Sequence, residues 1–344
     1  MLSVLLIALI ATSAHIGSTG TDDTRTTLQG AMALVGLGEA LPAAHQMIVE
    51  LRIWRSLVAA LVGAALALSG ALLQGVFRND LASPAILGLS SGAGLGASIA
   101  ILVIGGYGPL TLVQSASGAA PFVVAGAAFA GSAAVTVLVV ALATTGGRIS
   151  VPSLLLVGIA INAVAAGLIA AIQSFATRDF EVARAMMVWS FGTLDDRQSL
   201  HALFASAAVL LPICVLPFVS VELDLFAGGE EDAQALGVDT QRVKILALLA
   251  AAFAAAMAVA VAGQIAFVGL VVPHLVRQLF GRGHRYLLPM SLLGGAVLLL
   301  GADVLQRHFL GANLPLQPGV VMSLLGGPFF LYLLVKNRSS IQAW

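Results

Sequence analysis

Gly228-Gly229-Glu230-Glu231-Asp232-Ala233-Gln234-Ala235-Leu236-Gly237-Val238 is a polar island between two long apolar runs, Ser199 to Val219 and Ile245 to Ala262. Three consecutive carboxylates cannot lie in hydrocarbon, where each ionised side chain costs about 3 kcal/mol or more. The segment therefore faces water at one side of a membrane, with a span before it and a span after it. Its short Ala/Leu pattern, ended by Gly237, predicts a structured loop that docks a partner.

The composition extends this to the whole chain. Of 344 residues, 59% are hydrophobic and 9% charged, and the mean hydropathy is +1.02. Water-soluble domains carry about 25% charged residues, so a soluble fold is excluded. At about 20 apolar residues per helix, the length allows about eight to ten spans plus loops. The expected fold is all-α: a polytopic bundle of about ten transmembrane helices, with residues 1–344 forming a single domain in contact with lipid. Sixteen Lys and Arg balance sixteen Asp and Glu, which argues against a nucleic-acid partner. The single cysteine, Cys214, lies in an apolar run, excludes an intrachain disulfide and is expected to be buried packing.

Moving outward to the N-terminus, Met1 to Ile10 is apolar but lacks a basic flank and a clear small-residue cleavage site. It reads as the first span, with a cleaved segment as the alternative. A polar stretch, Gly17 to Gln29, and a weakly apolar loop to Glu50 follow. Leu51-Arg52-Ile53-Trp54-Arg55 then places two arginines and an indole at an interface, ahead of a second span from about Ser56 to Phe77. Arg78 to Pro84 breaks that helix. The third span begins near Leu87, and its Gly88, Gly92 and Gly96 let another backbone approach closely. Gly105 to Gly118 reads as a loop and Ala119 to Ala143 as the fourth span. Ser150 can cap the fifth span, about Ser153 to Ile172, with Pro152 tolerated in its first turn.

Asn162 and Gln173 lie on this fifth span, either bonding across helices or touching substrate. Arg178 to Asp196 is too charged to span; Val182, Met186, Met187 and Trp189 suggest a short helix lying at the surface. Beyond the polar island, Gly263-Gln264 leaves almost no loop between Ile245–Ala262 and Ile265–Phe280. Those two elements are either a tight hairpin or include a half-length helix. Leu287 to Leu305 and Val320 to Val335 complete ten runs, and Lys336-Asn337-Arg338 is a basic stop. An even number puts both termini on one side, expected to be the cytoplasm.

Lys and Arg test this orientation. The inner set, Arg78, Arg148, Arg242, Lys244, Arg277, Arg282, Arg285, Lys336 and Arg338, has nine members. The outer set, Arg25, Arg52, Arg55, Arg178, Arg184, Arg197 and Arg307, has seven. So weak a bias asks for a reason for the outer arginines, and an acidic external partner would supply one. Chemistry inside the chain is sparse. There is no GxxxxGK[ST] phosphate loop, no HExxH, no paired-cysteine motif and no ligand spacing among the six histidines, so no metal, cofactor or catalytic group is expected. Asp303 is almost the only ionisable group within a span, and reads as a helix partner of Arg307 or, less simply, as a proton-coupling group. The energy source must lie outside the chain.

Several motifs in order resemble one family. Gly263-Gln264-Ile265-Ala266-Phe267-Val268-Gly269-Leu270-Val271-Val272-Pro273-His274-Leu275-Val276-Arg277 is similar to the G-x-I-x-F-(I/V)-G-L-(I/V)-(I/V)-P-H-x-x-R signature of the FecCD permeases, the membrane subunits of type II ATP-binding-cassette importers for iron-siderophores, haem and cobalamin. Leu51 to Arg55 resembles its L-R-x-P-R motif with Trp54 in place of proline. Leu68 to Pro84 resembles its Q-x-x-x-x-N-P-L-A-x-P stretch with Asp80 in place of proline. Gly228 to Gly237 resembles its G-E-x-x-A-x-x-L-G, and His284 to Pro289 with Ala302, Asp303 and Arg307 resembles the pattern before the last span. Leu314 to Val320 departs from the usual L-P-(I/V)-G-V.

The resemblance implies a homodimer of ten-helix subunits in the inner membrane, two cytoplasmic ATPase subunits and an external substrate-binding protein. It implies that Glu230, Glu231, Asp232, Ala233, Gln234, Leu236 and Gly237 form the ATPase-coupling segment, with Ala233, Ala235 and Gly237 fitting a cleft. By position, Arg52, Arg55 and Arg307 would receive the binding protein, and Ser150, Val151 and Pro152 would form the cytoplasmic gate. Pro273 and His274 are expected to shape a helix break with internal hydrogen bonds. An iron chelate, haem or ferric siderophore, is the favoured cargo and cobalamin the alternative. An ion-coupled secondary transporter is the rival from another class, and a polytopic enzyme finds no catalytic constellation.

Overall fold

The computed structural model describes residues 2–17, 20–21, 24–34, 36–37, 41–106, 119–310 and 316–336. Residues 107–118 of the expected loop, Leu314 and Pro315 of the Leu314 to Val320 departure and the end of the basic tail lie outside the described residues. Among the described residues the only strands are two miniature hairpins, β1 (Ile16–Gly17) with β2 (Gly20–Thr21) and β3 (Thr144–Thr145) with β4 (Arg148–Ile149). Everything else regular is helix.

The axis of the molecule is α3 (Ala43–Phe77), almost entirely covered over its apolar part. Around it pack α8 (Ser199–Ile213), α11 (Thr240–Ala262), α12 (Val268–Phe280) and α13 (His284–Leu305). Small residues permit this crowding. A Cβ at Gly63 would stand 2.2 Å from the Gly295 carbonyl oxygen, and one at Gly70 would stand 1.8 Å from that of Gly269. The expectation of a loop up to Glu50 is corrected: α3 begins at Ala43, because no proline or glycine interrupts the chain between Pro42 and Gly63. Within the expected polar stretch, α2 (Thr24–Leu34) is also helical.

Each of the ten expected apolar runs is helical, and the runs divide into two classes. Six helices are long and apolar enough to cross a membrane: Ala43–Phe77, Ala120–Ala143, Val151–Ala176, Ser199–Phe218, Thr240–Ala262 and His284–His308. Four are shorter: Leu2–His15, Leu89–Ile104, Val268–Phe280 and Pro318–Leu333. Of the two alternatives after Gly263, the half-length helix is the one observed. Gly263 and Phe267 both take positive φ (72° and 67°), so the backbone turns sharply between α11 and α12.

The glycine stripe of α4 (Leu89–Ile104) meets α5 (Ala120–Ala143) closely. Added Cβ atoms at Gly92 and Gly96 would fall 2.5 and 2.0 Å from the carbonyl oxygens of Gly131 and Ala127. Gly88 precedes the helix at φ 75°, so it turns the chain, and it still belongs to the stripe, since an added Cβ there would fall 2.5 Å from Val135 Cγ1 on α5. Two further expectations are corrected. Pro273 does not break α12, which runs through it, although His274 does bond within the helix, to Gln278 at 2.9 Å. Cys214, just past the end of α8, is exposed although Pro212 two residues before it is buried.

Candidate functional site

The polar island folds as α9 (Ser220–Phe226) followed by α10 (Glu230–Ala235). Gly229 (φ 145°) starts α10 in a backbone region closed to other residues, and Gly237 (φ 87°) ends it. Glu230, Glu231 and Asp232 occupy the first turn, where carboxylates meet the positive end of the helix dipole. The segment has two sides. Ala233 is fully buried against the body of the protein, whereas Glu231, Asp232, Gln234, Ala235 and Gly237 are exposed and Leu236 projects outward at 67%. Ala233 is thus part of the anchor rather than of a face offered to a cleft.

Glu230 also points inward. Its Oε1 accepts from Lys244 Nζ at 2.6 Å, Thr240 Oγ1 at 3.2 Å and Gln241 Nε2 at 3.4 Å, all on α11. Lys244 is 2% exposed and lies 5.6 Å from the centre of the Phe226 ring. Asp239 caps α11 by accepting from the Arg242 amide at 3.0 Å. A depression of about 500 Å³ opens between Arg148, Glu231, Gln234 and Asp239. Beside it, β3–β4 leads directly into α6 (Val151–Ala176). There Ser150 Oγ accepts from the Ser153 amide at 3.4 Å and Pro152 sits in the first turn, as expected of a capped start. Nearby, Asp224 Oδ1 accepts from the amide and Nδ1 of His284 at 2.8 and 2.6 Å, which fixes α9 to the start of α13. Asp80, the departure from the family pattern, faces Arg277 at 3.5 Å.

The expected receiving arginines lie together at the far end of the bundle. Arg55 and Gln74, near the two ends of the buried part of α3, are about 30 Å apart at the helical rise, roughly the thickness of a hydrocarbon core. Arg55 Nη2 bonds Asp303 Oδ1 at 2.7 Å and Arg307 Nη2 bonds Asp303 Oδ2 at 2.8 Å. Arg55 also pairs with Asp195, Arg52 Nη1 donates to the His15 carbonyl at 3.2 Å, and Arg307 Nη1 donates to that of Ser13 at 3.1 Å. Arg52 and Arg307 are buried, and Asp303 is fully so. The helix pairing of Asp303 with Arg307 is observed; the second guanidinium on the same carboxylate, and Asp195, were not anticipated. The signal was there: two arginines and one carboxylate at matching ends of two apolar runs. Partial burial, followed by the charge of Asp195, raises the Asp196 carboxyl above its ordinary value.

A groove of about 430 Å³, mostly apolar but set with Ser, Asn and Gln side chains, is walled by α4, α6 and α7 (Phe180–Ser190). Asn162 bonds across helices, accepting from Ser91 Oγ at 2.5 Å and donating to the Ala85 carbonyl at 2.9 Å. Gln264 Nε2 donates to the Ser90 carbonyl at 3.1 Å, and Gln173 lines the same groove. The surface helix expected here is instead packed on one side: Val182, Met186 and Trp189 are buried and Met187 is exposed.

Residues 4–336 match the FecCD transport family. The chain belongs to that family. It is 40% identical to the hemin transport system permease protein HmuU of Yersinia pestis, over 84% of this chain and 83% of that protein. It is 41% identical to the cobalamin import system permease protein BtuC of Halobacterium salinarum, over 86% of this chain and 75% of that one. The Fe(3+)-citrate import system permease protein YfmE of Bacillus subtilis is 36% identical, over 97% and 93%. A solved metal-chelate type ABC transporter in an inward-facing conformation superposes with a TM-score of 0.78 at 28% identity, covering 97% of each chain. This FecCD protein is a transport permease rather than an enzyme, built to cross the membrane several times.

Proposed function

We propose that this chain is the permease subunit of an ATP-binding-cassette importer that moves an iron chelate, haem or a ferric siderophore, through the inner membrane. Two copies form the pathway, two ATPase subunits drive it from the cytoplasm, and a periplasmic substrate-binding protein feeds it. The observation that carries this is the 40% identity to HmuU across 84% of the chain. The 41% identity to a cobalamin permease supports the second reading, a cobalamin importer.

In this scheme one domain makes ten crossings, the four short apolar helices completing theirs with polar turns, and both termini face the cytoplasm. The ATPase meets the exposed side of α10 through Glu231, Asp232, Gln234, Leu236 and Gly237, while Glu230 and Ala233 hold α10 to the bundle. Ser150, Val151 and Pro152 form the gate at the start of α6, and the groove between α4, α6 and α7 is part of the path. The binding protein docks on the opposite face around Arg55, the more accessible member of the cluster that Arg52 and Arg307 help to build.

Uptake into proteoliposomes tests this. The chain, reconstituted with its ATPase and binding protein, is offered labelled haemin, a ferric siderophore and cobalamin in turn. Accumulation that stops when ATP hydrolysis is blocked supports the importer. Accumulation driven by an ion gradient with no ATPase present establishes the secondary transporter instead.

A further inference from the structure

Glu230 and Ile149 belong to different elements, α10 and β4, and are held by the same two side chains. Lys244 Nζ donates to Glu230 Oε1 at 2.6 Å and to the Ile149 carbonyl at 3.3 Å. Gln241 repeats the connection, its Nε2 donating to Glu230 Oε1 at 3.4 Å and its Oε1 accepting from the Ile149 amide at 3.1 Å. Gln241 and Lys244 are three residues apart on α11, so they share one helix face. Both backbone groups of Ile149 are thereby fixed to a carboxylate on the docking helix.

We propose that Lys244, with Gln241, is a positioning link that carries displacement of α10 to the start of α6. The link rests on α10 being the docking segment for the ATPase. A buried ammonium is costly unless its charge and donors are satisfied. Here Glu230, the Ile149 carbonyl and the Phe226 ring satisfy it together, so α10 cannot shift without Lys244 following or losing its partners. Ile149 is the residue before Ser150, which caps α6. The hairpin turn at Gly146 and Gly147 has positive φ and no atom within 4 Å of an added Cβ, whereas Ile149 after it is buried in the core, so the hairpin is held at the end where Lys244 and Gln241 grip it. Beyond its start, α6 is the least covered of the six long helices, with 11% of its apolar window buried, and it carries Asn162 and Gln173 into the groove. A docking event on one surface is thus joined to the helix that walls the groove through a continuous chain of bonds.

Hydrogen–deuterium exchange on residues 149–153 tests the link, first in the purified full-length chain and then in its complex with the ATPase, with and without trapping by ADP and vanadate. In the chain alone, Lys244→Met is expected to speed exchange there about tenfold. In the wild-type complex, trapping is expected to change exchange at these residues; in the Lys244→Met complex that response disappears while the ATPase stays bound and hydrolyses ATP. Gln241→Leu, which leaves the buried ion pair in place, is expected to blunt the response partly, and Lys244→Arg to restore it. Unchanged exchange in the Lys244→Met chain, or a wild-type response to trapping in its complex, overturns the link. An ATPase that fails to bind even the wild-type chain overturns the docking assignment of α10 instead, and the exchange of the chain alone still decides whether Lys244 ties α10 to the hairpin.

Discussion

Arg55 and Asp303, 248 residues apart, meet at 2.7 Å and close α3 onto the end of α13. Asp303 is fully buried and also holds Arg307, so one carboxylate balances two guanidinium groups. Asp303→Asn keeps the shape and removes the charge. It is expected to lower stability by about 3 kcal/mol, because buried cations lose their counter-ion. Asp195→Asn, at an exposed partner of Arg55, should cost less than about 1 kcal/mol. Thermal unfolding in detergent distinguishes them; equal effects would show that Asp303 is not the centre of the cluster.

Glycines at helix crossings predict a sharp contrast. Gly70→Ala drives a methyl group to 1.8 Å from a backbone oxygen of α12, which has no side chain to swing aside. Overpacking of this kind costs about 3 kcal/mol or more, and a loss of folded protein is expected. Gly126→Ala on α5 meets nothing within 4 Å and is expected to behave as wild type. Size-exclusion profiles of the two variants check this.

Pro273 explains a third dependence. Lacking an N–H, it leaves the Gly269 carbonyl free, and Gln74 Nε2 donates to that oxygen at 3.3 Å. The same amide bonds the Ala82 carbonyl at 3.2 Å and, through Oε1, Arg277. Gln74→Leu strands several buried polar groups and is expected to cost about 2 kcal/mol. Gln74→Glu keeps the acceptor for Arg277 and should lose less at neutral pH. If both variants melt with the wild type, Gln74 is not bridging α3 to α12.

What the linear sequence could show follows from the physics of each element. Apolar runs are legible because hydrocarbon tolerates little else, and the ten of them all became helices. The start of α3 was not, because Ala43 to Glu50 is helical without being apolar enough to mark a span. Cys214 was misplaced because an apolar run does not reveal which of its faces meets the bundle. Arg52, Arg55 and Arg307 were singled out from the outer arginines through the resemblance to the FecCD motifs. Beyond the local Asp303–Arg307 pair, their engagement with Ser13 and His15 and the meeting of Arg55 with Asp303 depended on contacts between distant segments, which no local pattern carries. The inward turn of Glu230 was hidden for the same reason: three adjacent carboxylates look alike until the helix assigns each a direction.

At the face proposed to be periplasmic, Arg55→Gln is expected to weaken docking of a binding protein, with the loss largest at low salt, since surface charge pairs are screened at about 8–10 Å under physiological ionic strength. Reversal of Arg307 is the poorer probe, because glutamate there would face buried Asp303 and disturb the fold. Affinity of the reconstituted permease for its binding protein, titrated against salt, measures the effect. A salt-independent affinity unchanged by Arg55→Gln would remove this cluster from the docking face.

At the face proposed to be cytoplasmic, the division of α10 into an anchored and an exposed side separates the proposed docking from folding. Glu231 and Leu236 point outward, so Glu231→Lys and Leu236→Ala should leave the melting temperature unchanged while reducing co-purification of the ATPase, about tenfold for the pair if each contributes about 0.7 kcal/mol. Glu230→Lys is different in kind: it places a second ammonium beside buried Lys244, and is expected to loosen α10 and the β3–β4 hairpin even in the isolated chain. Pull-down of the ATPase and melting of the chain, measured on the same three variants, give opposite patterns if the assignment is right. Exposed-side variants that melt early, or a Glu230→Lys chain as stable as wild type, would mean that α10 presents the other side to its partner.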